Sequence, residues 1–280
     1  MAFQPDTAVT RKSSTEAGGL YGGHLSDAFS YVIPSGGVLM AIALRAMEVE
    51  LCRPELRVVS ATSVFATPIP SGPVSIRVDV LRSGRAAAQV RAELTSDTAK
   101  GAGVHVLATF AEPGEGPDAI DTAPPPAPPP ESLPRVDRPM PFFKNIDVRM
   151  VRGFLPEDGG TPSPDARCDR WIRYVEAPKR KDGRLDPLCL PAVADMMPTA
   201  LWQKVPAGAP RLMAPSYDLT VHFLEGTDRD WLLTSAWCRR ALGGHASADV
   251  EIWDDQGKLL AYGTQTMFFR KWPRRAVEVL

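Results

Sequence analysis

The chain has 280 residues, of which 44% are hydrophobic and 23% charged, and its formal net charge at pH 7 is −1. This length suits two compact units of about 100 to 150 residues each. The balanced charge, without a basic block, argues against a nucleic-acid partner or an acidic membrane surface. No stretch approaches about 18 consecutive apolar residues, and the first residues lack the apolar core of a signal peptide. We therefore expect a cytoplasmic protein without membrane insertion.

Four cysteines are scattered through the chain without C-x-x-C spacing. This arrangement indicates neither a zinc site nor a disulfide framework, and buried reduced thiols are its simplest interpretation. No cofactor motif is apparent in the sequence, so we predict no metal and no cofactor.

The first half predicts one buried helix followed by antiparallel strands. Ser35, Gly36 and Gly37 precede a run of alanine, leucine and methionine that is apolar nearly all round, which favours a buried helix. Four segments with strand character follow, separated by proline and glycine turn signals. They cover residues 57–67, 74–82, 86–95 and 104–110.

A proline-rich stretch separates the two halves. Residues 112–141 contain too many prolines for a helix interior or a sheet ladder, so we expect an extended connector. The predicted domains are an N-terminal unit of residues 1–111, this linker, and a C-terminal unit of residues 142–280. Residues 156–166 and 179–186 are polar and predict surface loops.

The second half repeats the plan of the first. A strand at residues 169–177 precedes a helix at 191–204, in which Pro191 suits the first turn and Pro198 predicts an interruption just after Asp195. Strands are then predicted at residues 217–224, 231–239, 246–254 and 259–271. A helix wrapped by a curved antiparallel sheet, formed twice, is an α+β architecture.

Aromatic landmarks support a duplication with an offset of 158 positions. Phe65 and Phe110 are 45 positions apart, and so are Phe223 and Phe268. At this offset the second unit carries polar residues where the first does not, since Gly37 corresponds to Asp195 and Leu107 to Gln265. The asymmetry predicts that one of two equivalent sites kept its chemistry while the other became packing.

The motifs of both halves, in their order and spacing, resemble the double-hotdog acyl-CoA thioesterases over about residues 21–270. In the first half these are Ser35-Gly36-Gly37 with its helix, Ser63-Val64-Phe65-Ala66-Thr67-Pro68, and Val80-Leu81-Arg82-Ser83-Gly84-Arg85. In the second they include Ala194-Asp195, the run from Pro215 to Phe223, Trp253-Asp254-Asp255-Gln256-Gly257 and Gln265. The chain departs from the family in having Ser35 where an asparagine is frequent, and in having Pro198 close to Asp195.

The resemblance implies a catalytic set of Asp195, Ser216 and Gln265, with Thr220 as a competing hydroxyl. Thioester hydrolysis needs a base that takes a proton from water, and donors that face the developing oxyanion. Backbone N–H groups of Gly36 and Gly37, near a helix N-terminus, suit the second task. Neither a metal nor a covalent nucleophile is required.

Each of these residues also has a structural interpretation. Asp195 would favour a helix dipole, and Ser216 would be an ordinary turn hydroxyl. Strict alternation places Ser216 and Thr220 on one face of their strand, and Tyr217 with Leu219, Val221 and Phe223 on the other. Gln265 shares its parity with apolar residues, which predicts a buried amide that needs partners. Arg240 suits the phosphates of a nucleotide-bearing thioester, or is a solvated charge at a hairpin end.

The resulting prediction is an acyl-CoA thioesterase whose substrate partner is acyl-CoA and whose chains are compatible with assembly into a homo-oligomer. Met40, Met47, Met196 and Met197 are either walls of an acyl tunnel or plain core. Two alternative functions remain open at this point. One is a non-catalytic acyl-thioester or lipid-binding protein, and the other is an enoyl-thioester hydratase, for which His245 with Asp249 is the only nearby pair.

Overall fold

The structure is a computed structural model that describes residues 3–155, 162–205 and 212–271. Part of the predicted loop at 156–166 lies outside the described residues. Within them, one sheet of twelve strands dominates the fold, and a two-stranded ribbon accompanies it. Helices cover one face of the large sheet, and the main hydrophobic core lies between them and that face.

The first half forms a one-turn helix, a long helix and six strands. The elements are α1 (Phe3–Asp6), β1 (Val9–Ser14), β2 (Gly18–Leu25), α2 (Gly36–Leu51), β3 (Arg57–Phe65), β4 (Gly72–Ser83), β5 (Ala87–Ser96) and β6 (Val104–Ala111). The predicted helix and the four strands after it are confirmed. Strands β1 and β2 are not apparent from the sequence, because one is polar and the other is rich in glycine. Gly18 is needed there, since a Cβ at this position would lie 2.2 Å from the Val78 carbonyl oxygen of β4.

The second half repeats this order with a broken helix. The elements are α3 (Pro141–Lys144), β7 (Ile146–Arg152), β8 (Arg167–Tyr174), α4 (Leu190–Ala194), α5 (Pro198–Trp202), β9 (Leu212–Met213), β10 (Ser216–Phe223), β11 (Leu232–Leu242), β12 (His245–Asp254), β13 (Leu259–Phe268) and β14 (Arg270–Lys271). The interruption predicted from Pro198 separates α4 from α5. After Asp195, whose N–H still bonds the carbonyl of Pro191, the hydrogen bonds tighten to three-residue spacing at Met196 and Met197.

The two units share one continuous sheet. Its order is β1-β2-β4-β5-β6-β3-β10-β13-β12-β11-β8-β7, so the equivalent strands β3 and β10 meet in the middle as an antiparallel pair. Thr62 lies directly opposite Thr220 in this pair, and their hydroxyl oxygens are 2.9 Å apart. Equivalent residues that face each other define a local two-fold axis between the units.

The offset of 158 positions fails at the last strand of each unit. Val90 faces Ala108 between β5 and β6, whereas Ala248, 158 positions after Val90, faces Gln265 between β12 and β13. The structural counterpart of Gln265 is therefore Ala108, 157 positions earlier, and the predicted correspondence with Leu107 is wrong. Burial agrees, because Ala108 and Gln265 are both buried while Leu107 is 54% exposed.

A β-bulge at the start of β10 changes which residues share a face. Ser216 pairs with Met267, but Asp218 already pairs with Thr266, so Tyr217 is an extra residue on its strand. Ser216 consequently lies on the core side with the buried Leu219, while Tyr217 is 44% exposed on the outer side. The alternation predicted for Ser216 and Tyr217 is wrong for this reason.

The proline-rich linker packs against the outer face of the second unit's sheet. Trp171, Trp231 and Trp253 form a small apolar cluster there, separate from the main core. The indole N–H of Trp171 donates to the carbonyl of Pro128 at 2.9 Å, and that of Trp231 donates to the Glu131 carboxylate at 3.1 Å. The linker is therefore fixed to the sheet over this part of its length, which includes a 3₁₀ turn at Pro130–Ser132.

Candidate active site

Asp195 is the centre of a buried polar cluster where the two units meet. Its Oδ2 atom accepts hydrogen bonds from the Ser35 hydroxyl at 2.8 Å and from the Gly37 backbone N–H at 3.1 Å. Its Oδ1 atom accepts one from the Gln265 amide Nε2 at 2.6 Å. The first unit thus supplies donors from the N-terminus of α2, and the second supplies both the carboxylate and the amide.

Close packing of the two helices brings Asp195 to the N-terminus of α2. A Cβ at Gly37 would lie 2.1 Å from the carbonyl oxygen of Pro191, so only glycine permits this approach. Ser35 occupies the N-cap position of α2, yet its side chain makes no capping bond within its own helix. Its hydroxyl donates to Asp195 instead, so the cap residue of one unit serves the carboxylate of the other.

Gln265 links Asp195 to Ser216. The Nε2 atom of Gln265 lies 2.5 Å from Ser216 Oγ, in addition to its bond to Asp195. This amide orientation is the one that a carboxylate partner favours, because the opposite orientation would place two acceptor oxygens together. The Gln265 side chain is buried, and its Oε1 atom has no hydrogen-bond partner among the described residues. The site therefore retains one unsatisfied acceptor beside the carboxylate.

Burial and hydrogen bonding act on the Asp195 carboxyl in opposite directions. Desolvation raises its pKa above the ordinary value of an aspartate. Hydrogen bonds from Ser35, Gly37, Gln265 and the Gly36 backbone oppose that rise because they stabilise the charged form. Tyr31 lies within the electrostatic range of Asp195; its own pKa is raised, chiefly by burial and further by the Asp195 charge.

Arg170 stabilises the interruption that follows Asp195. Its guanidinium is buried and donates to the Met196 carbonyl at 2.6 Å and to the Thr199 hydroxyl at 2.9 Å. These bonds connect β8 to the break itself, at Met196, and to the first turn of α5, at Thr199. Sequence patterns do not reveal this role, because nothing in the sequence distinguishes Arg170 from the other charged residues of its strand.

The predicted residues are not all brought together. Asp195, Ser216 and Gln265 form one hydrogen-bonded group, and Gly36 and Gly37 begin the helix that points at it. Thr220 lies on the opposite side of the sheet from the buried Leu219 and contacts Thr62, so it does not join Asp195. Arg240 is likewise absent from the Asp195 cluster; it is exposed and pairs in register with the exposed Ser247.

The alternatives considered for histidine and methionine can be located as well. His245 lies beside the Tyr217 ring, while Asp249 forms a 2.7 Å ion pair with Arg239, so the two are not partners of each other. Four methionines considered for an acyl tunnel lie in the main hydrophobic core, namely Met40, Met47, Met196 and Met197.

Among the described residues, no cluster of three or more His, Cys, Asp or Glu is arranged to hold a metal ion. No described helix is both long and apolar enough to cross a membrane.

Ser35 is the site residue that sequence reasoning missed as a direct partner of Asp195. The two residues are 160 positions apart and belong to different units. Two sequence signals were available: a serine stands where the family pattern frequently has an asparagine, and its small hydroxyl directly precedes the paired glycines of the helix start.

Comparison with solved structures defines the class of this fold. A protein of unknown function with a hot dog fold from Alicyclobacillus acidocaldarius is 23% identical, covers 98% of this chain and 99% of its own, and has a TM-score of 0.80. An acyl-CoA thioesterase II, TesB2, from Mycobacterium marinum is 23% identical, with coverages of 98% and 100% and a TM-score of 0.74. A putative thioesterase from Novosphingobium aromaticivorans DSM 12444 is 26% identical, with coverages of 94% and 98% and a TM-score of 0.73. The fold is a double hotdog, as predicted.

Family models extend the assignment from fold to family. The model of the acyl-CoA thioesterase N-terminal domain matches residues 26–111, and that of the acyl-CoA thioesterase C-terminal domain matches residues 117–269. The chain belongs to the acyl-CoA thioesterase family. No functionally curated protein matches it at a significant level.

Proposed function

We propose that this protein hydrolyses an acyl-CoA thioester to the free acid and CoA, with Asp195 as general base. The observation that carries the proposal is the buried Asp195 carboxylate held by Ser35, Gly37 and Gln265 at the junction of the units. Membership of the acyl-CoA thioesterase family supplies the substrate class. A carboxylate that is desolvated yet hydrogen-bonded is suited to accept a proton near neutral pH.

The chemistry assigns a separate task to each side chain. A water molecule attacks the thioester carbonyl while Asp195 removes one of its protons. The tetrahedral oxyanion then collapses with cleavage of the C–S bond, and the leaving CoA thiolate takes up the proton held by Asp195. The unsatisfied Oε1 of Gln265 is an acceptor for the second hydrogen of that water, and the Ser216 hydroxyl is a further polar contact for it.

The N-terminus of α2 provides the positive electrostatic potential of the site. Its first backbone N–H groups point towards Asp195, and the Gly37 N–H already donates to the carboxylate. A helix N-terminus stabilises negative charge on nearby groups. As Asp195 is neutralised by the transferred proton, this potential acts on the oxyanion that forms beside it.

Thiol release from short-, medium- and long-chain acyl-CoAs tests the proposal. The wild type should turn over at least one of them, and Asp195→Asn should lower kcat by about 10²–10⁴-fold, the usual contribution of a general base. Asp79→Asn is a matched control, since Asp79 is a buried aspartate of the first unit that pairs with Arg77 and Arg91. If Asp195→Asn keeps the turnover of the wild type, another residue must act as the base. Binding of acyl-CoA without any turnover would instead support a non-catalytic binding protein.

A further inference from the structure

An exposed strip of aromatic and basic side chains crosses the outer face of the second unit's sheet at one end of its strands. We call it the end strip and define it as Tyr217, Phe268, His245, Arg240 and Arg270. The Tyr217 and Phe268 rings stack with centroids 4.4 Å apart, and the His245 ring lies 5.8 Å from Tyr217. The Arg270 guanidinium lies 5.0 Å from the centre of the Phe268 ring. Together they form an aromatic platform with a cation beside it.

The end strip and the Asp195 cluster occupy the same end of the same strands. Tyr217 directly follows Ser216 on β10, and Phe268 lies three residues after Gln265 on β13. The bulge at Tyr217 turns Ser216 towards the core and Tyr217 to the outside. A ligand that passes over this end of the sheet would therefore reach the catalytic group with one part and the end strip with another.

The charges of the end strip suit an anionic ligand. Among the described residues, neither Arg240 nor Arg270 forms an ion pair, and both are exposed. The neighbouring Asp249 is neutralised by its 2.7 Å ion pair with Arg239. Asp218 of β10, the other carboxylate on this outer face, accepts a hydrogen bond from the Thr266 backbone N–H. Two guanidinium groups thus remain available for phosphate oxygens, for which their planar donor geometry is well matched.

The first unit lacks the aromatic part of this arrangement. At equivalent positions it has Val59 for Tyr217, Ala111 for Phe268 and Ala87 for His245, although Arg82 stands where the second unit has Arg240. The aromatic platform therefore accompanies the unit that carries Asp195, Ser216 and Gln265. A purely structural role for the platform would not explain why it is confined to that unit.

We propose that the end strip binds the nucleotide part of acyl-CoA, an inference that rests on the proposed function. The adenine base stacks against the Tyr217 ring, which is 44% exposed, as bases do on aromatic side chains in single-strand binding proteins. Arg240 and Arg270 bind its phosphate groups. The pantetheine arm passes over the strand ends to the Asp195 cluster, so the end strip determines KM for the whole substrate and leaves the chemistry at Asp195 unchanged.

Kinetics with full and truncated substrates test the proposal. Thiol release is measured for an acyl-CoA, its 3′-dephospho analogue and the acyl-pantetheine thioester that lacks the nucleotide. The double variant Arg240→Ala/Arg270→Ala should raise KM for the acyl-CoA about 100-fold, since it removes two charge-assisted phosphate contacts of about tenfold each. Its kcat for the acyl-CoA and its kcat/KM for the acyl-pantetheine should remain those of the wild type. Tyr217→Thr, which keeps a strand-forming residue at the bulge, should likewise weaken only substrates that carry the adenine.

The controls separate this proposal from the proposed function. Arg82→Ala removes the equivalent arginine of the first unit and should leave every KM unchanged. Equal KM values for acyl-CoA in the wild type and in the double variant would overturn the inference while leaving the thioesterase function intact. A parallel loss of activity on acyl-pantetheine would also overturn it, because the change would then act on the catalytic group. Absence of wild-type turnover on every thioester would contradict the proposed function itself.

Discussion

The two units of this chain differ most at three positions, where the second unit has polar side chains and the first does not. Ser216 and Gln265 correspond in strand register to Val58 and Ala108, and the offset of 158 positions places Gly37 at the position of Asp195; the three first-unit residues have either no side chain or an apolar one. All three of these first-unit residues are buried. The fold therefore provides two equivalent locations, and only one of them holds a carboxylate, a hydroxyl and an amide.

The apolar location in the first unit also has a structural role, because it helps to form the polar site in the second unit. Gly37 has no side chain, and this lets the backbone of α2 approach Pro191 and donate its N–H to Asp195. A second aspartate at position 37 would collide with α4 and place two buried carboxylates close together. Each unit of the duplicated fold has thus specialised: the first supplies a helix N-terminus, and the second supplies the buried carboxylate that we propose as the base.

Among the first-unit residues, the largest effect is expected at Gly37, where the steric constraint is strictest. Gly37→Ala would place a methyl group 2.1 Å from the Pro191 carbonyl oxygen, so α2 and α4 must separate. Overpacking of this kind lowers the free energy of unfolding by about 1–3 kcal/mol. The displaced donors should lower kcat about 100-fold, the cost of a misplacement of roughly 1 Å.

Thermal unfolding and thiol release on the same preparation would measure both effects of Gly37→Ala. Gly84→Ala is the control, because the nearest atom to its Cβ lies at 3.4 Å, an ordinary contact distance. Wild-type activity in Gly37→Ala would show that the close approach of the two helices does not position the site.

A smaller effect should distinguish the two hydroxyls of β10. Ser216→Ala removes the hydroxyl that Gln265 contacts, and the loss of one hydrogen bond predicts a kcat about tenfold lower. Thr220→Val removes a hydroxyl that bonds Thr62 on the outer face, away from Asp195, so kcat should remain the same. Steady-state thiol release of both variants measures the difference. A larger loss of kcat in Thr220→Val than in Ser216→Ala would mean that the Thr220 hydroxyl acts in the reaction. It would also contradict the conclusion that the bulge places Ser216 on the core side of the sheet.

The smallest effect should be a shift of the pH profile when the first unit's donor is removed. Asp195 must be ionised to accept a proton, and the Ser35 hydrogen bond lowers the pKa of Asp195 because it stabilises the charged form. Ser35→Ala should therefore raise that pKa and move the acidic limb of kcat/KM to higher pH. Well above this limb the activity should approach that of the wild type.

Profiles of kcat/KM against pH for the wild type, Ser35→Ala and Ser63→Ala test this expectation. Ser63 is a buried serine of β3 whose hydroxyl has no partner among the described residues, so its replacement should leave the limb in place. If the acidic limb of the kcat/KM profile stays at the same pH in Ser35→Ala, the first unit does not change the pKa of Asp195.

Much of the fold was predictable because its signals are local. Turn residues separate the strands, an apolar run of good helix formers forms α2, and Pro198 interrupts the second helix where it lacks an N–H to donate. Asp195, Ser216 and Gln265 were predicted from a family resemblance, and the structure places them in one hydrogen-bonded group. Strands β1 and β2 were missed because a polar edge strand and a glycine-rich strand carry little propensity of their own.

The sequence by itself determined that two similar units follow one another, that each holds one helical segment against antiparallel strands, and that the polar residues are concentrated in the second. These features depend on propensity and periodicity, which act between near neighbours. Only the tertiary structure decided that Ser35 bonds to Asp195, that a bulge turns Ser216 towards the core, and that Gln265 corresponds to Ala108. Each depends on register and packing between segments far apart in the chain, and a shift of one residue exchanges the two faces of a strand.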